Sequence, residues 1–265
     1  MIRLAVRVRR EDSELVLAEL LALAPGGVEE VDHGGVVEYA VYGAPGELPA
    51  LPDLRAAAGK ALVEVTTSEL ADDWDERWRE FHRPVEAAGF VVRAPWHEPV
   101  AGREEIVIDP GQAFGTGGHA TTRLCLEALW ELDPDGPLVD VGCGSGVLAI
   151  AAGKLGWGPV LGLDYDPRCV EATLANAAAN GVAVEVRRFD LRAEPVPEAP
   201  TVLANLLRPL LLEVRFAGAP PRTLVASGLL EHEGDQVAAA FRDHGLREAR
   251  RLVADGWLAL VLATG

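Results

Sequence analysis

LVDVGCGSGVLAIAAGKLG, residues 138–156, is the stretch that decides how this chain is read. Leu138 to Val141 reads as a buried strand, Gly142, Gly144 and Gly146 as a turn with glycine at alternate positions, and the alanine-rich remainder as a helix. Glycines in such a turn let the backbone approach a ligand closely, and the helix start behind them offers unpaired N–H groups. The combination suits a nucleotide-like cofactor lying across the end of a parallel sheet.

Downstream of residue 120 the pattern alternates helix and strand, the mark of βαβ units. A helix is expected over 121–132, and strands over 138–141, 160–164, 184–189, 201–204 and 223–226. The last segment, GLREARRLVADGWLALVLATG, holds two β-like runs about a turn at Asp255-Gly256, which predicts an antiparallel pair closing the sheet. Upstream, residues 1–70 read as a small α+β unit in the order βαββαβ, the ferredoxin-like pattern. RLAVRVRR alternates like a half-buried strand, 11–24 and 51–59 read as helices, and VEEVD and VVEYAVY flank the turn His33-Gly34-Gly35. ALVEVTT is the last strand of that unit. Residues 71–84 read as a linker helix carrying Trp74, Trp78 and Phe81 on one stripe, a packing surface or a substrate-facing one. FVVRAPW and EEIVIDP are expected to form a hairpin-like lead into the second domain, 85–265.

A glycine turn alone also fits nicotinamide dehydrogenases. Four features separate the two. Asp140 stands two residues before the first glycine, where an apolar strand residue is usual in dehydrogenases. The spacing is Gly-x-Gly-x-Gly, with Val147 and Leu148 where the dinucleotide fingerprint needs its third glycine. Asp164 ends the second strand, placed to accept both hydroxyls of a ribose, and Asn205 follows the fourth strand at the ligand-binding edge of the sheet. Together these resemble a class I S-adenosylmethionine methyltransferase domain with a Rossmann-like sheet.

Before that sheet stands IDPGQAFGTGGHATTRLCLEAL, a glycine-rich loop running into a helix. With DDWDERWREFHRPV, FVVRAPW and ANLL it resembles the PrmA family, which methylates the eleventh protein of the large ribosomal subunit. The variable places of the family loop hold Gly118 and Ala120, so any side-chain contact made from position 118 in relatives is absent here. The resemblance implies that residues 1–70 recognise the substrate and that Thr122 contacts the cofactor. It implies that Gly142, Gly144 and Gly146 cradle the aminoacid and sugar portions, beside Asp140. Asp164 then takes the ribose hydroxyls, with a helix-cap role as the alternative. Phe189-Asp190 stacks on or bonds to adenine, or simply packs. Asn205 accepts from the target nitrogen or holds the aminoacid end of the cofactor, and Phe114 and His119 border the methyl-transfer chamber. The target class is a lysine or N-terminal amine, because Asn205-Leu206-Leu207-Arg208 lacks the aromatic that stacks a planar amide or base. Another protein or nucleic-acid methyltransferase, and a non-catalytic cofactor-binding module, are the alternatives.

Composition sets the remaining bounds. The 265-residue chain has 41 acids against 24 bases, a net charge of −17, which disfavours broad nucleic-acid binding and suits a basic protein partner or simple solubility. No apolar run is long enough for a transmembrane helix, and the N-terminus lacks a secretory core. The three cysteines, Cys125, Cys143 and Cys169, have neither metal nor disulfide spacing. A cytoplasmic monomer without a metal is expected.

Overall fold

Leu4, Val6 and Val8 alternate along β1 (Ile2–Arg9) and enter one core, as a period of two on a half-buried strand requires. In the computed structural model the described residues are 2–13, 16–17, 20, 28–43, 54, 58–69, 83–110 and 115–265. By contacts the chain divides into Met1–Phe81 with Gly111–Phe114, and His82–Pro110 with Gly115–Gly265. In the first unit β2 (Glu29–Asp32), β3 (Val36–Gly43) and β4 (Leu62–Glu69) join β1 in the order β2-β3-β1-β4, antiparallel throughout. That is the strand order of a ferredoxin-like βαββαβ sheet. Val16, Leu20, Leu54 and Ala58 are helical and pack on its core. The rest of the helices expected over 11–24 and 51–59 lies largely outside the described residues. The linker helix with Trp74, Trp78 and Phe81 lies outside them too.

The second unit begins with β5 (Val85–Ala87), β6 (Phe90–Arg93) and β7 (Glu104–Val107) in one sheet. Here the hairpin expected between FVVRAPW and EEIVIDP is corrected. β6 pairs with β5 in an antiparallel hairpin about Ala88-Gly89, whereas β6 and β7 are parallel. The intervening segment, 94–103, is too long for a tight hairpin turn and instead carries the chain back to the start of the strand. Arg93 fixes that crossover, holding both Glu105 oxygens at 3.0 Å and His97 O at 2.9 Å.

The main sheet comprises β8 (Leu138–Val141), β9 (Val160–Asp164), β10 (Val184–Arg188), β11 (Thr201–Asn205), β12 (Thr223–Leu230), β13 (Leu246–Ala254) and β14 (Trp257–Thr264). Its order is β10-β9-β8-β11-β12-β14-β13, parallel through β12. The closing antiparallel pair turns at Asp255-Gly256 as expected, with β14 inserted between β12 and β13. Both faces are covered, which explains the continuous apolar strands. One core joins Leu138, Leu203, Val225 and Val261 to Leu124 and Leu129 of α1 (Ala120–Trp130) and Ile150 of α2 (Val147–Leu155). Val139, Val202, Leu224 and Leu260 point to the other face, against Val237 and Phe241. α3 (Pro167–Ala179) follows β9, the short α4 (Arg208–Leu211) follows β11, and α5 (Gly234–Arg242) carries Val237 and Phe241. Strand order reverses between β8 and β11, which opens a crevice at their carboxyl ends.

Candidate active site

Gly142, Gly144 and Gly146 have φ of 76°, 56° and 85°, a left-handed run that only glycine enters cheaply. At Gly142 space forbids a side chain as well, since a Cβ would lie 2.4 Å from Leu206 Cδ2. That contact places the segment after β11 directly beside the turn. Gly142 and Cys143 donate to Leu163 O at 2.7 and 3.0 Å, tying the turn to the end of β9. Asp164 completes the tie by accepting from Gly144 N at 2.9 Å through Oδ2, and from Asp166 N at 3.0 Å through Oδ1. Each carboxylate oxygen keeps a further lone pair for a ligand hydroxyl. Burial holds the Asp164 carboxyl above its ordinary range, with the Asp166 charge adding and these N–H donors opposing.

Asp140 lies beneath the turn, 1% exposed, and neither carboxylate oxygen has a hydrogen-bond partner. Burial and the Asp164 charge push its carboxyl up to about 7, and the nearby Ala149 N–H, which makes no well-formed hydrogen bond to it, offsets this only in part. An unsatisfied buried acid facing a glycine turn is a costly arrangement for folding alone. Thr122, in the first turn of α1, also has a buried hydroxyl oxygen without a partner. These two orphaned groups and the bare-backbone turn fit a polar, partly cationic ligand with a sugar.

Asn205 ends β11, paired in register with Ser227 of β12 and one residue beyond the Ala204–Val141 pair. Its position is set by a bulge. Gly228 has φ of 85°, Leu206 N donates to Ser227 O at 2.9 Å, and a Cβ on Gly228 would stand 2.3 Å from Leu206 O. Asp190 follows β10, next to Asp164 through the Phe189 N to Asp164 O bond of 2.7 Å, and accepts from Arg192 N at 3.0 Å. Phe189 is buried, with Arg187 5.2 Å from its ring centre. Asp140, the three glycines, Asp164, Asp190 and Asn205 therefore gather at the carboxyl ends of β8–β11.

His119 caps α1, its Nδ1 2.8 Å from Thr121 Oγ1, and its ring meets Trp257 edge-on at 4.7 Å. Burial, and to a lesser degree the Arg123 charge, lower its pKa and so favour its neutral form. The start of the α1 segment reaches the glycine turn through Ser145 Oγ, which donates to Gly115 O at 2.7 Å. Phe114 lies outside the described residues. Among the described residues no group of three or more His, Cys, Asp or Glu is arranged to hold a metal, and none of the helices is long and apolar enough to cross a membrane.

Sequence reasoning missed several residues here. Tyr165 is 61% exposed immediately after Asp164, with the Arg188 guanidinium 5.0 Å from its ring centre. An exposed aromatic between two acids in LDYDP was the available signal. Ser145, Thr173 and Asn176 are buried and bond to backbone atoms around the turn. Only the spacing of polar residues along an alanine-rich helix hinted at the last two.

Comparison with known proteins identifies the family. The family model described as ribosomal protein L11 methyltransferase (PrmA) matches residues 51–264. A ribosomal protein L11 methyltransferase of Pelotomaculum thermopropionicum is 33% identical, over 98% of this chain and 97% of that protein. One from Bordetella parapertussis is 40% identical, over 91% of this chain and 79% of its own length. The crystal structure of a ribosomal protein L11 methylase from Lactobacillus delbrueckii subsp. bulgaricus superposes with a TM-score of 0.62 at 26% identity. It covers 68% of this chain and 98% of the Lactobacillus chain.

Proposed function

The chain belongs to the PrmA family of ribosomal protein L11 methyltransferases, and from that premise we propose that it methylates lysine side chains or the N-terminal amine of ribosomal protein L11. It is an S-adenosylmethionine-dependent methyltransferase, and the cofactor supplies a methyl group already activated on a sulfonium. The methyl donor itself needs no acid–base activation. The chain's task is to hold the nucleophile in line and keep competing water out.

Asp164 takes the ribose hydroxyls, and Thr122 offers its orphaned hydroxyl to the cofactor. Asp140 presents its buried carboxyl group beneath the glycine turn. Asp190, beside Phe189, borders the adenine end. An amine attacks only after releasing a proton to solvent, since its charged form predominates at neutral pH. The Asn205 side-chain carbonyl accepts from the remaining N–H of the neutral amine and aims its lone pair. His119 borders the methyl-transfer chamber, where burial favours its neutral form. Residues 1–70 select the substrate, 71–84 link, 85–265 catalyse, and the chain acts as a cytoplasmic monomer.

The observation that carries the choice of target is the tetrad Asn205-Leu206-Leu207-Arg208 beside Gly142. It has an acceptor for an amine and no aromatic to stack a flat amide or base. Substituting Asn205→Ala tests it. The turnover number should fall about a hundredfold or more, the size of effect expected when a nucleophile loses its alignment, with S-adenosylhomocysteine affinity changed far less. Unchanged turnover would remove Asn205 from the reaction.

A further inference from the structure

α3 turns a polar face inward. Thr173, Asn176 and Asn180 follow at i, i+3 and i+7 on one side of the helix and its C-cap, and each bonds to backbone. Thr173 Oγ1 donates to Gly144 O at 2.9 Å. Asn180 clamps Val107, donating to its carbonyl at 2.7 Å and accepting from its N–H at 2.8 Å. Asn176 lies between them, 4% exposed, and faces both ways. Its Nδ2 donates to Ser145 O at 2.8 Å, and its Oδ1 accepts from Asp109 N at 3.1 Å. The partners fix the amide orientation, because a carbonyl needs the NH₂ and an N–H needs the oxygen.

One planar group thus joins the cofactor turn to the segment that leaves β7. The turn has a second link to the far side of that segment through Ser145 Oγ and Gly115 O. An apolar face on α3 would pack here without such bonds, whereas the buried Thr173 and Asn176 and the half-buried Asn180 each need a matched backbone partner.

We propose that Asn176 is a positioning residue that transmits occupancy of the Gly142–Gly146 turn to the Val107–Asp109 segment. The proposal rests on the cofactor reading of the turn. When the turn is held by a ligand, Ser145 O is held, the Asn176 amide is held, and Asp109 N–H is locked in turn. Asn180 steadies the same segment independently of the ligand.

Hydrogen exchange read by mass spectrometry, with S-adenosylhomocysteine as the probe, tests this. In the wild-type chain the ligand slows exchange at 142–150 and slows it at 104–110 by at least about fivefold, the lower end of ordinary site-to-site coupling. In Asn176→Ala at saturating ligand, 142–150 stays protected while the ligand effect at 104–110 falls below about twofold. In Asn180→Ala, 104–107 exchanges faster with and without ligand, but Asp109 still responds. A wild-type chain that binds the ligand without slowing 104–110 overturns the proposal, needing no variant. So does Asn176→Ala that passes on full protection, since a merely structural asparagine lowers stability without uncoupling the segments. A wild-type chain that shows no binding at all refutes the cofactor reading itself, a separate and recognisable result.

Discussion

A carboxylate with two orphaned oxygens costs the fold stability, and Asp140 makes that cost depend on pH. Its folded pKa of about 7 stands above the ordinary value of 3.8, so the folded chain holds a proton that the unfolded chain has released. The stability tied to this proton is present in full below the ordinary value. It is lost as pH rises toward and through about 7. Asp140→Asn should therefore raise the melting temperature of the ligand-free chain at pH 8 and change it little at pH 4. An equal effect at both pH values would contradict the assignment. Asp164→Ala should weaken S-adenosylhomocysteine binding by about 1–3 kcal/mol, the cost of unpaired hydroxyls, as isothermal titration reads it. The glycines, Asp140, Asp164 and Asn205 were legible because their chemistry is local: each stands at a fixed offset from the end of a strand. Tyr165, Ser145 and Asn176 were not. Ser145 and Asn176 reach backbone atoms about thirty or more residues away, such as Gly115 O and Asp109 N, and such bonds leave no spacing signature in the chain.

At the scale of elements, the bulge in β12 aims the segment that carries Asn205. Gly228→Ala forces a Cβ against Leu206 O in a left-handed conformation. Strain of this kind is worth about 1–3 kcal/mol, seen as a lower melting temperature, and turnover should fall more than stability because Leu206 follows Asn205. If turnover is unchanged in a chain that has lost stability, the bulge supports the sheet alone. Phe241→Ala on α5 is the contrasting case, a buried aromatic in the core on one face of the sheet. It should cost about 3–5 kcal/mol of stability by denaturant titration with cofactor affinity retained. Strands β8 to β12 were readable from short apolar runs between turn signals, and β13–β14 from the Asp-Gly turn. The mistaken hairpin has a physical cause. Apolar runs identify strands but not their direction, and only the length of 94–103 separates a crossover from a turn.

Taken whole, the molecule carries a net charge of −17, which favours encounter with a basic protein and opposes it with phosphate backbones. Raising sodium chloride from about 50 mM to about 300 mM shortens the screening length and should raise the KM for a basic protein substrate, with cofactor affinity nearly constant. A KM indifferent to salt would leave the charge with solubility alone. Substrate choice was the part of function least visible in the residues, because it belongs to a whole surface and not to a motif. The central claim, methyl transfer to an amine of ribosomal protein L11, is tested most directly by supplying labelled S-adenosylmethionine together with purified large-subunit proteins and ribosomal RNA. The account predicts label on L11, at amino groups, and loss of that label with Asn205→Ala. Label on RNA, on glutamine amides, or on no component at all would contradict it.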